Sequence, residues 1–192
     1  NPIEAIDLVT GKTVKVNYTE AGNYFFLHKS YPIIQKQTVD SLKLTNGVRD
    51  LYKFKIVANE GDIGLYKFSF QVVPTGANVS SLELYDVTYL GNEMLVGQLN
   101  LSGDGMFWET TGKDWTTNYP AGEITVAKKQ SRTFVLRGTV IGATTGSAIS
   151  AALIHQPASV IMNKPWTTAS GVNGSFVWSD ESAMAHSVNT AD

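Results

Sequence analysis

Apolar and polar residues alternate along most of the chain, and no window keeps an apolar stripe at i, i+3, i+4 and i+7 through three turns. The pattern predicts β-strands nearly throughout. Ile6-Asp7-Leu8-Val9, a turn at Thr10-Gly11-Lys12 and Thr13 to Tyr18, with Val14, Val16 and Tyr18 on one face, read as a hairpin. From Val39 the alternation sharpens. Leu42 and Leu44 alternate with Ser41 and Lys43, Asn46-Gly47 supplies a turn, and Tyr52, Phe54 and Ile56 alternate with Lys53 and Lys55. Asn59-Glu60-Gly61-Asp62 then reverses the chain into Ile63 to Val73. There Tyr66, Phe68, Phe70 and Val72 form an apolar face opposite Lys67, Ser69 and Gln71. These two segments predict a hairpin with its lysines on the wet face, where charge also discourages edge-to-edge pairing.

Further strands are predicted at Val79 to Leu90, Met94 to Leu101, Ile124 to Val126, Thr133 to Ile141, Ile149 to Ile154 and Ser175 to Trp178. Turn signals recur about every ten residues without intervening helices, which points to a sandwich or barrel rather than βαβ units. A short helix over Ala148 to Leu153 stays open, since alanine favours helix while Gly146 and the β-branched neighbours do not. Tyr31-Pro32-Ile33-Ile34 carries a proline, which assigns it to an edge strand or an extended connection. The fold class expected is an all-β, antiparallel Ig-like or jelly-roll-type β-sandwich. Residues 1-36 form an N-terminal extension, and 37-192 the sandwich domain.

A length of 192 residues is enough for one domain with an extension. Fifteen Lys and Arg against seventeen Asp and Glu give a net charge of -2, too little basic excess to hold a phosphate backbone, so nucleic acid is not expected as a partner. The absence of cysteine excludes disulfides, thiolate nucleophiles and cysteine-ligated metals. No run of eighteen apolar residues is present, so no transmembrane segment is expected. The opening Asn1-Pro2-Ile3-Glu4 lacks an initiator Met and reads as a mature fragment. Sequons begin at Asn17, Asn78, Asn100 and Asn173, a number that chance supplies in a chain rich in Asn, Ser and Thr.

His28, His155 and His186 lie far apart without metal-ligand spacing, and no nucleophile elbow or phosphate-binding glycine loop occurs. No catalytic residue and no cofactor is assigned. Asp104-Gly105 and Asp180-Glu181 offer oxygen ligands for Ca2+, although neither fits a calcium-loop pattern. Trp108 and Trp115 stand close to Asp104, Glu109 and Asp114, the aromatic-plus-acid composition that a sugar-binding surface uses. Core tryptophans beneath a solvated loop are the commoner explanation of such a pattern.

From Gly138 to Asn163 the chain carries no formal charge, while Thr139, Val140, Ile141, Ile149, Leu153 and Ile154 are β-prone or apolar. A strand of that kind invites association if left at a sheet edge. It is therefore either covered internally or covered by a partner through strand addition, which makes these six residues candidates for an assembly interface.

Leu44-Thr45-Asn46-Gly47 with Leu51 to Ile56, then Gly61 to Phe70, Ile124-Thr125-Val126, Thr133 to Gly138, and Ser175 to Asp180 with Ala185-His186-Ser187 together resemble a module of large envelope proteins secreted by uncultured ultra-small bacteria of the candidate phyla. The likeness spans residues 39-192 and rests on alternation and turns. It implies a β-sandwich at the cell surface, in an assembled layer or filament, with no active-site residue to carry over. The resulting expectation is a non-enzymatic extracellular structural protein. Such a subunit would self-assemble into an S-layer, a pilus-like filament or an adhesive appendage by strand addition between copies. The alternative is a carbohydrate-binding adhesin module that meets a cell-envelope glycan.

Overall fold

A computed structural model describes residues 28–39, 43–103, 105–115, 118–154 and 175–181, together with the backbone of three further strands, 3–6, 13–16 and 158–160. Fourteen strands and one 3-10 turn make up the regular structure of these residues. β1 (Ile3–Ile6) and β2 (Thr13–Val16) form an antiparallel pair with Ile3 opposite Val16. The expected hairpin is present, with its first strand three residues earlier than the sequence suggests.

The remaining strands form two sheets. The first contains β3 (Pro32–Gln37), β4 (Gly47–Ala58), β11 (Ser131–Ile141), β6 (Asn78–Tyr89) and β7 (Asn92–Gln98), in that spatial order. All of its pairs are antiparallel. The second is organised around β5 (Ile63–Thr75). One edge of β5 takes β10 (Ile124–Val126) and then β9 (Trp108–Thr111), with β8 (Asn100–Leu101) beyond β9. The other edge takes β14 (Phe176–Ser179) along Gly64 to Phe68 and β12 (Ala148–Ile154) along Ser69 to Thr75. β13 (Ala158–Val160) lies parallel to β14. The chain is thus all-β and sandwich-like. Ala148 to Ile154 forms strand rather than helix, because its backbone is committed to a seven-residue ladder with β5.

One expectation is corrected. Tyr52 to Ile56 and Ile63 to Val73 do not form a hairpin, because β4 and β5 lie in different sheets and Asn59 to Asp62 carries the chain across the core. Alternation says which side chains point inward, but a hairpin and an inter-sheet arch share that alternation. What separates them is supplied from far along the chain: both edges of β5 are taken by β9, β10, β12 and β14. The inward rings then meet across the core. Phe68 lies 6.0 Å from Phe54, 5.4 Å from Phe134, 5.9 Å from Phe176 and 6.1 Å from Trp115, all measured between ring centroids.

Tyr66 is the second correction. Opposite β14 the register jumps from Lys67 to Leu65, so Tyr66 is the extra residue of a bulge and parity changes there. Ile63, Leu65, Phe68 and Phe70 join the contiguous core, while Tyr66 is buried outside it, beside Gly64. The proline-bearing segment is the edge strand β3, paired over all six residues with β4. The expected boundary between residues 36 and 37 therefore falls inside that strand.

Candidate functional site

The sugar-binding candidates do not converge. On β9, Trp108 points towards the core beside its register partner Phe70, whereas Glu109 points outward and is held by the Lys67 ammonium at 2.9 Å and the Ser69 hydroxyl at 3.0 Å. Trp115 is only 9% exposed and stacks against Phe68. Asp114 is exposed and accepts a hydrogen bond from the Thr111 hydroxyl, and Asp104 lies outside the described residues. No indole among these forms an open platform beside an acid, because period-two alternation sends neighbouring residues to opposite faces.

Two clusters of ionisable side chains appear, and of their members the sequence pointed only to Asp180 and Glu181, as oxygen ligands for Ca2+. Asp86 is fully buried on the core side of β6, where it accepts from the Tyr119 hydroxyl and Arg132 guanidinium, each at 2.7 Å, and from the Thr88 backbone at 2.9 Å. Burial, then the bond to Asp86, pushes the Tyr119 phenol well above its ordinary range. These partners satisfy the buried carboxylate, and that makes the cluster a structural clasp between β6, β11 and the 118–122 turn.

The second cluster sits where β10 and β14 flank β5. A side chain at Gly64 would bring its Cβ within 2.5 Å of a Glu181 carboxylate oxygen and 3.1 Å of one from Glu123, so the glycine is what lets both acids lie there. The Tyr66 hydroxyl donates to Glu123, and burial followed by that bond drives its pKa far upward. Alongside, buried Asp180 accepts from the Lys29 backbone N–H at 3.0 Å, with His28 Nδ1 at 3.9 Å. No group of three or more His, Asp or Glu able to hold a metal ion occurs among the described residues.

The assembly candidates separate into two sets. Thr139, Val140 and Ile141 end β11, a central strand; Thr139 and Val140 are paired with both β4 and β6, and Ile141 with β6, so Thr139 and Val140 offer no free edge. The charge-free segment is covered internally over that half. Ile149, Leu153 and Ile154 belong to β12, which pairs with β5 on one side and with no other strand among the described residues. Leu153 is buried in the core, while Ile149 and Ile154 are half-buried. β12 has neither charge nor proline, the two features that ordinarily block an open edge.

A cleft of about 620 Å³ runs along this edge, lined on one side by Ile149, Ser150 and Ala151 and on the other by Lys36 to Val39 of the β3 side with Leu51, Tyr52 and Lys53 of β4. Tyr52 bridges it. Burial raises the phenol's pKa, and the Leu153 backbone opposes that shift. Pro74, which has no N–H to give a ladder, stands opposite Ile149, so Ile149 and by parity Ala151 turn their backbone groups away from β5 towards the open edge. The cleft could not be read from the sequence. Its walls come from residues about 100 positions apart, and only the Ala148–Ile154 composition signalled one of them. No helix among the described residues is long and apolar enough to cross a membrane. No family model, curated protein or solved structure matches this chain.

Proposed function

We propose that this chain is a non-enzymatic extracellular structural protein, the subunit of a self-assembling surface layer, pilus-like filament or adhesive appendage whose copies join by strand addition. The observation that carries this reading is the edge of β12: seven residues without charge or proline, with no strand on the outer side among the described residues. An exposed row of backbone donors and acceptors is a template for another strand, and main-chain bonds along it supply affinity without a specialised pocket. The carbohydrate-binding alternative has less support, because Trp115 is buried and Trp108 and Glu109 face opposite sides of β9.

Light scattering on the purified chain from micromolar to millimolar concentration tests the reading, with mass expected to grow with concentration. Ala148→Lys with Ser150→Lys places two charges on exposed positions of β12. That variant should remain monomeric while its stability changes by no more than about 0.5 kcal/mol per substitution. A native chain that stays monomeric across the whole range overturns the reading.

A further inference from the structure

Among the described residues the fold contains an open strand edge and, separately, a ribbon that joins no further strand. Among the described residues β1 and β2 bond only to each other. A two-stranded ribbon is marginal in water by itself and needs a third strand or an apolar surface. The cleft between β3 and β12 supplies both. The outward backbone groups of Ile149 and Ala151 line it, and their side chains continue the apolar face that Leu153 joins to the core.

Resting on the strand-addition reading above, we infer that this cleft receives the β1–β2 hairpin of a second copy of the chain, one hairpin strand adding to the open edge of β12. With Glu4 opposite Lys15 the ribbon is charge-balanced, and its other six residues are uncharged, which suits a cleft bounded by the uncharged β12. The distribution of exposed apolar side chains favours a second molecule over the chain's own hairpin. Val48, Val73 and Ile141 are 63%, 49% and 53% exposed at the end of the sandwich where β4 begins and β5 and β11 finish. Val73 is the register partner of Ser150 in the cleft wall. Four-residue strands are too short to cover that end as well as the cleft, so covering it takes the body to which the hairpin is attached.

The chain has no cysteine, so introduced thiols react alone. A full chain carrying Ala5→Cys is mixed with a full chain carrying Ser150→Cys and treated with a short bismaleimide. The linker tolerates the unspecified register of the added strand. Cross-linked heterodimer should form at least about tenfold faster than with Asn100→Cys on β8 as the partner, since docking raises the effective thiol concentration towards millimolar. Far-ultraviolet circular dichroism confirms that each variant retains the parent fold. Heterodimer formation no faster than the β8 control overturns the inference. So does a doubly substituted chain, Ala5→Cys with Ser150→Cys, that closes only within itself. Light scattering of the same samples separates the two levels: association that persists without this cross-link removes the hairpin docking alone, and no association at any concentration removes the strand-addition reading as well.

Discussion

The crossing from β4 to β5 is tested most directly by a double-mutant cycle on Phe54 and Phe68. Both rings are fully buried, one from each sheet, with centroids 6.0 Å apart and planes inclined at 60°, an edge-to-face contact. Leucine at either position keeps an apolar side chain and removes the ring, at a cost of about 1–3 kcal/mol for each single change. Against a domain stability of about 5–15 kcal/mol even the double variant retains a folded population to measure. An edge-to-face pair adds about 0.5–1.5 kcal/mol beyond the area it buries, and that excess is the coupling the cycle should return. Urea unfolding followed by tryptophan fluorescence gives the four free energies, with unchanged m-values confirming that each variant unfolds from the same compact state. In a tight hairpin with Ala58 opposite Ile63, Phe54 would stand beside Lys67 and Phe68 would point to the other face. Two destabilising single changes whose effects add to within about 0.3 kcal/mol would therefore refute the inter-sheet arrangement.

Gly112→Ala should destabilise by about 2–4 kcal/mol or displace the 118–122 turn, because its Cβ would fall 1.9 Å from the Gly122 carbonyl oxygen; Gly103→Ala, with open space around it, serves as the near-neutral comparison in thermal melts. Arg132→Ala should cost about 3–5 kcal/mol by leaving the buried Asp86 carboxylate short of its cation, and adding Asp86→Asn should recover part of that loss in denaturant titrations. Tyr66 and Tyr119 have folded pKa values raised above their unfolded value of 10.0, so both phenols stay protonated in the folded protein after they ionise in the unfolded chain. Their contribution to stability is complete below pH 10 and falls as pH rises beyond it, by up to about 1.4 kcal/mol per pH unit for each group. Tyr66→Phe should make that decline shallower in pH-dependent unfolding, and an unchanged slope would contradict the burial of its hydroxyl.

The strands were legible in the sequence because their signal is local. Tyr52, Phe54 and Ile56 alternate with Lys53 and Lys55, and period two alone assigns them to a strand with an inward face. The open edge of β12 was half legible: absence of charge marked Gly138 to Asn163 as needing cover, but the same signal included Thr139 and Val140, which the fold pairs on both sides. Trp115 was legible in kind and not in partner. Core burial was the commoner explanation of its aromatic-plus-acid surroundings, but nothing local named Phe68, 47 positions away, as the ring it stacks on.

Sequence by itself determined that this chain forms strands, which side chains they turn inward except where a bulge changes parity at Tyr66, and that one segment lacks the charges that protect an edge. Tertiary structure alone decided which strands become neighbours. A strand's inward face follows from covalent geometry and solvent exclusion over a few residues, whereas its hydrogen-bonding edges are identical in chemistry from strand to strand. Partner choice is therefore set by packing between distant residues: Phe54 against Phe68 across the core, Gly64 leaving room for Glu123 and Glu181, and Tyr52 reaching the backbone of Leu153.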